Sequence, residues 1–296
     1  MARNATEQTP TDKTLPLLPG WVTRGGAATL EDVAFLSGAA LSQLHGLLAR
    51  PDVPGSLLRD RLGLYAAEAC VAWSGRPERA AELRDTLHLL RPGDHPGPAG
   101  EIYLRWRRAV AHPLSDAALR RAIPDHAAGH IDGWLSAGQG GPIAQAAAVL
   151  EAVLMEFPRD EATALILADT ALARALRWRH VVPLLATGIK RQDLRRSGDA
   201  LRQACHVAVT AATADAIRLA GDLARRVARL EAVAPKLRAK SADQAVALFL
   251  SQDAVSASGL KHLMSPRAAR RLCDRLVALG AVRELTGRET FRLYGV

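Results

Sequence analysis

A chain of 296 residues with 39 Lys and Arg against 30 Asp and Glu carries a formal charge of +9 at pH 7. That excess points to an anionic partner, nucleic acid first and a membrane surface second. Hydrophobic residues make up 49% and aromatics only 4%, so a sizeable core is available, built from alanine and leucine helices rather than from strands.

Cys70, Cys205 and Cys273 are far apart and no pair has CxxC spacing, which argues against a disulfide framework or a cysteine zinc site. No run approaches about 20 apolar residues, so no membrane span is expected. The polar start, MARNATEQTPTDKT, has no secretory apolar region, and a cytoplasmic protein is expected.

In chain order, residues 1–14 read as a disordered tail and 15–21 (LPLLPGW) as a short apolar anchor. Thr29 then offers an N-cap, with Glu31 and Asp32 in the first turn, for a helix that Pro51 stops. Further helices are expected over 57–74 and after Pro77, then a loop over 91–100, then EIYLRWRRAVAHPL and shorter helices around Ala117 and His126. Beyond a glycine break at 138–142, two helices precede a long one over about 199–230, with Arg218, Arg225, Arg226 and Arg229 among its exposed positions. Pro235 breaks it and KLRAK, 236–240, is a basic joint. The fold class is therefore an all-α body over 15–240 followed by a small C-terminal unit over 241–296.

That unit carries the sharpest functional signal. SADQAVALFLSQD reads as one helix and AVSASGLKHL as a second, with Met264 and Ser265 turning into a third. Ser265 caps the third helix, Pro266 stands at its first position, and Gly280 ends it. At 100° per residue Ala269, Leu272, Leu276 and Leu279 share one face. Arg267, Arg270, Arg271 and Asp274 fall opposite, with Arg275 on the flank. AVREL and TFRLY then alternate as two strands about the turn TGRE.

Helix, helix, turn, helix, hairpin is the order of a winged helix-turn-helix with a two-stranded wing, whose third helix enters the major groove of double-stranded DNA. Arg267, Arg270 and Arg271 are the candidates for reading guanine edges. Lys261, Arg275, Arg288 and Arg292 are candidates for phosphates, as is Ser265 through its hydroxyl and the helix N-terminus. The body would supply dimerisation, or ligand or partner binding, and a homodimer would demand two-fold DNA sites. Two alternatives stand beside this one: a winged helix that docks onto a protein, and an enzyme of unknown chemistry in the body.

The tail RAARRLCDRLVALGAVRELTGRETFRLYGV resembles the C-terminal helix-turn-helix of plasmid-associated proteins in rhizobia and related alphaproteobacteria. From LPLLPGW through RPGDHPGPAG, VPLLA and APKLRAK to FRLYG, the chain is similar to the alphaproteobacterial domain-of-unknown-function family 1403. The resemblance implies a bacterial cytosolic protein and brings no catalytic residues or cofactor with it.

The body holds weaker candidates. His126 and His130 are spaced i, i+4, as in zincins, but Ala127 stands where a general-base glutamate would be, so no metal is assigned. Glu78, Glu82 and Asp85 form a carboxylate stripe if one helix carries all three, with Arg76, Arg79 and Arg84 near enough for surface ion pairs. Glu68, in the apolar context YAAEACVAW, could satisfy a buried Arg61 on the same helix face. Trp106 is expected in the core, with Arg105, Arg107 and Arg108 as a rim beside Tyr103. RQDLRR, 191–196, is a basic turn. No Walker loop, GxSxG or dinucleotide fingerprint is present, and no cofactor is implied.

Overall fold

The computed structural model describes residues 15–24, 29–91, 93–237, 241–287 and 290–296. The expected tail at 1–14 and most of the basic joint at 236–240 lie outside them. The body runs α1 (Gly20–Arg24), α2 (Leu30–Leu48), α3 (Gly55–Trp73), α4 (Ala80–Leu89), α5 (Gly97–Ala111), α6 (Asp116–Ala122), α7 (Asp125–Ala128) and α8 (Ile131–Ser136). It continues through α9 (Pro142–Glu156), α10 (Glu161–Ala175), α11 (Leu185–Gly188) and the long α12 (Gly198–Val233). No helix among the described residues is long and apolar enough to cross a membrane.

Local chemistry sets the helix ends. Thr29 closes a reciprocal capping box, its Oγ1 accepting from Asp32 N–H at 3.1 Å while Asp32 Oδ2 accepts from Thr29 N–H at 3.0 Å. Arg79 N–H is taken by the Glu82 carboxylate at 3.0 Å, so α4 starts only at Ala80. α5 starts at Gly97, inside the expected loop, because Pro98 is tolerated in a first turn where its missing N–H costs nothing.

Packing then orders the layers. α2 lies along α12, α3 along α5, and α9 against α10. α10 is the central rod, buried continuously from Ala162 to Ala173. Asp169 on it is wholly buried, yet its carboxylate accepts from Leu184, Leu185 and Ala186 N–H at 2.9–3.4 Å and so satisfies the start of α11. α11 in turn meets α12 at Gly188, where a Cβ would stand 2.2 Å from the Ala208 carbonyl oxygen. Arg105 is buried, binding Asp160 Oδ1 at 3.2 Å and the Thr163 hydroxyl, so it joins α5 to the start of α10 rather than forming a rim. Trp106 beside it is fully buried, as its helical phase requires.

The C-terminal segment comprises α13 (Ala242–Ser251), β1 (Val255–Ser256), a 3₁₀ turn (Ala257–Leu260), α14 (Pro266–Ala278), β2 (Arg283–Glu284) and β3 (Leu293–Gly295). The sheet is antiparallel throughout in the order β1-β3-β2, with Val255 opposite Tyr294 and Glu284 opposite Tyr294 on its other side. Two expectations change here. The stretch AVSASGLKHL is a strand and a 3₁₀ turn, because Ser256 Oγ accepts from Gly259 N–H at 3.0 Å and offers the backbone an alternative to α-helix. The hairpin is accordingly joined by a third strand. The molecule remains a multi-helix body with one small C-terminal sheet.

Asp253 and Gly280 bind this segment to the body. Asp253, between α13 and β1, is buried between Arg61 of α3 and Arg84 of α4, the latter at 2.5 Å. Arg229 of α12 covers Gly280, where a Cβ would lie 2.7 Å from its Nη2. Asp253's carbonyl oxygen in turn backs Gly295 of β3, 2.5 Å from where a Cβ would be.

Candidate nucleic-acid interface

α14 is held by its apolar side and offers its polar side to solvent. Ala269, Leu272, Cys273 and Leu276 are buried, and Leu279 packs half-buried beside them. Burial pushes the Cys273 thiol up to about 12, so it stays protonated and acts as a small apolar group. Ser265 Oγ accepts from Ala268 N–H at 3.4 Å, which commits it to capping. Gly280, at φ +62°, closes the helix.

With that face buried, Lys261, Ser265, Arg267, Arg270, Arg271 and Arg275 are all exposed. Among the described residues, none of the four arginines of α14 has an ion-pair partner, and Asp274 is the only acid on the helix. Elsewhere on the surface Arg50, Arg120, Arg174, Arg202, Arg218 and Arg225 each pair with an aspartate, while Arg121, Arg159 and Arg177 are exposed singly with no ion-pair partner among the described residues. An arginine without a carboxylate keeps its full donor fork for an incoming anion.

The structure brings Arg270 and Arg292 together. Both line a groove of about 400 Å³ with Asp274, Thr290 and Tyr294, between α14 and β3. Arg292 also has Glu284 Oε2 at 3.7 Å from its Nε, so its charge is partly offset. Arg288 and Glu289 lie outside the described residues.

The body candidates mostly resolve into structure. His126 is in α7 and His130 caps α8, so no single helix carries both. They face a small aromatic cluster instead: His130 stacks on Trp134 at 5.2 Å between centroids and reaches Glu156 at 2.8 Å, and His126 tilts on Phe157 at 5.5 Å. The carboxylate stripe does not form. Glu78 precedes α4, Glu82 caps it and Asp85 is buried. Glu68 lies 3.9 Å from Arg79, and Arg61 takes Asp253 instead. The 191–196 turn is a 3₁₀ helix whose Arg191 faces Glu161 at 3.8 Å and whose Arg196 pairs with Asp193 at 3.0 Å.

A polar cavity that the sequence did not suggest lies where α3, α4 and α5 meet the C-terminal segment. Asp60, Arg84, His88, Tyr103, Arg107 and Gln252 line it. Burial raises the Asp60 carboxyl to about 6, although Arg107 pulls the other way. The lining residues come from four separate stretches of sequence, and no local spacing could have joined them.

A helical body bearing a three-stranded C-terminal sheet and an arginine-faced helix defines the class of this protein. The family model described as "Protein of unknown function (DUF1403)" matches residues 6–296, and the chain belongs to that family. Nothing among the curated proteins matches it.

Proposed function

We propose that this protein binds double-stranded DNA through α14, as a cytoplasmic bacterial regulator or plasmid-maintenance factor. The observation that carries the reading is the set of four arginines without carboxylate partners on one helix whose opposite face is locked in the core. The order of α13, β1, 3₁₀ turn, α14, β2 and β3 supports it, being the order of a winged helix-turn-helix with the third strand between helices. Arg267, Arg270 and Arg271 would then face base edges. Lys261, Arg275, Arg288 and Arg292 would face phosphates, and so would the Ser265 end of the helix. A homodimer would set two such helices one DNA turn apart.

Asp274 among the arginines and Glu284 beside Arg292 lower the positive potential of this face and favour the second reading, a winged helix that docks onto a protein. Reversing Arg267, Arg270 and Arg271 together to Glu tests the first. All three are exposed, so folding should be unchanged by circular dichroism, while duplex affinity should fall at least about 100-fold. Undiminished affinity would remove α14 from the interface.

A further inference from the structure

The body also holds an aliphatic cavity, on elements other than α14. Between α2, the first turn of α9 and α12 opens a cavity of about 530 Å³. Its walls are aliphatic: Leu30, Ala34 and Leu41 on one side, Pro142, Ile143 and Leu176 on the other. A volume of that order suits a small organic ligand. Gly38, in the middle of α2, keeps the wall open. A Cβ there would meet nothing within 4 Å, so neither crowding nor a positive φ calls for glycine, although glycine weakens a helix interior relative to alanine.

The polar groups on this cavity are few: Ser37, Ser42, His45, His206 and Arg202. Ser37, almost wholly buried, lies 2.7 Å from His206 Nδ1 and 3.0 Å from the Ala34 carbonyl. A hydroxyl has one proton, and both contacts are satisfied when Ser37 donates to Ala34 and accepts from His206 Nδ1–H. His206 is kept neutral by burial and by the charge of Arg202. Trp178 Nε1–H donates to His45 Nδ1 at 3.0 Å, which leaves the neutral His45 proton on Nε2, a donor. Among the described residues Arg202 is the single cation on the lining, and no carboxylate lines it. Its partner, Asp199, is 83% exposed and 2.9 Å away, an exposed pair of the kind that adds little and exchanges readily.

An aliphatic cavity with one cation and, among the described residues, no acid on its lining matches a molecule with an alkyl body and one anionic head. We propose that this cavity binds a medium-chain alkyl carboxylate, its chain along Gly38, Leu41 and Ile143 and its head on Arg202. The absence of aromatic walls favours a chain over a flat ring. This site stands independently of the DNA-binding reading, because its evidence lies wholly in the body.

The probes are decanoate, 1-decanol and decyltrimethylammonium, titrated calorimetrically into the full chain at neutral pH. Decanoate should bind about tenfold or more tightly than decanol, and the cation more weakly than either. Arg202→Gln should abolish the preference for decanoate over decanol. Gly38→Leu and, separately, Ala144→Leu fill the cavity from opposite walls, and either should cut decanoate affinity at least tenfold at an unchanged Tm. Three ligands of equal affinity, no binding at all, or wild-type affinity in a filled variant that keeps its Tm would overturn the proposal.

Discussion

Asp253 shows how far a single residue's role can lie from its neighbours in sequence. Its carboxylate is buried with Arg61 and Arg84, which come from 192 and 169 positions earlier in the chain. Burial alone would raise its pKa, but the charge of Arg61 and the hydrogen bond from Arg84 outweigh that and hold it below the usual carboxylate range. Asp253→Asn would leave two buried guanidiniums without their anion and should cost about 3–5 kcal/mol in urea unfolding. A depressed folded pKa means the stabilisation is present above about pH 4 and lost as pH falls through the folded value. The stability gap between wild type and Asp253→Asn should therefore narrow in acid.

Asp60, close by, has the opposite sign. Its folded pKa is raised to about 6, so its contribution is present at low pH and lost as pH rises from about 4 through 6. Asp60→Asn should gain on wild type over that interval; parallel stability curves would contradict the burial argument. Helical phase made Trp106 legible as core, but it could not make Arg105 legible as buried, because Asp160 and Thr163 reach it from another helix. Arg61 was matched to Glu68 for the same reason: spacing along one helix is visible in a sequence, and a partner from the far end of the chain is not.

At the level of elements, α14 was legible because independent signals agree on it. A serine cap, a proline at the first helical position, apolar residues at helical spacing and a terminal glycine all bracket the same residues. α13 and the long α12 were legible on similar grounds. The stretch after α13 was not, since a run of small residues fits helix or turn equally and the choice fell to Ser256's own hydrogen bond. Two glycines should be sensitive for different reasons. Gly188→Ala drives a Cβ against the rigid backbone of α12 and should be strongly destabilising. Gly280→Ala meets φ +62° and only the movable end of Arg229, and should cost about 1–2 kcal/mol by the same urea assay. Equal effects would mean that backbone contact at α11 is looser than the geometry requires.

Across the whole molecule, the charge excess of +9 is not evenly used. Arg50, Arg120, Arg174, Arg202, Arg218 and Arg225 are each paired with an aspartate, whereas the four arginines of α14 have no ion-pair partner among the described residues. The composition raises the expectation of an anionic partner, and the helix pattern proposes α14 as its place. Neither signalled that the C-terminal segment is pinned to the body through Arg61, Arg84 and Arg229. Deleting residues 241–296 would strip those arginines of their partners, so a truncation would confound binding with stability.

The cleaner measurement is duplex affinity of the full chain as a function of salt, with and without charge reversal at Arg270 and Arg271. If α14 neutralises phosphates or reads bases, log K should fall against log[salt] with a slope of about −4 or steeper, and Arg270→Glu with Arg271→Glu should flatten it by about 2. A shallow slope for wild type, or the same steep slope in the reversed variant, would contradict the assignment of DNA binding to this helix.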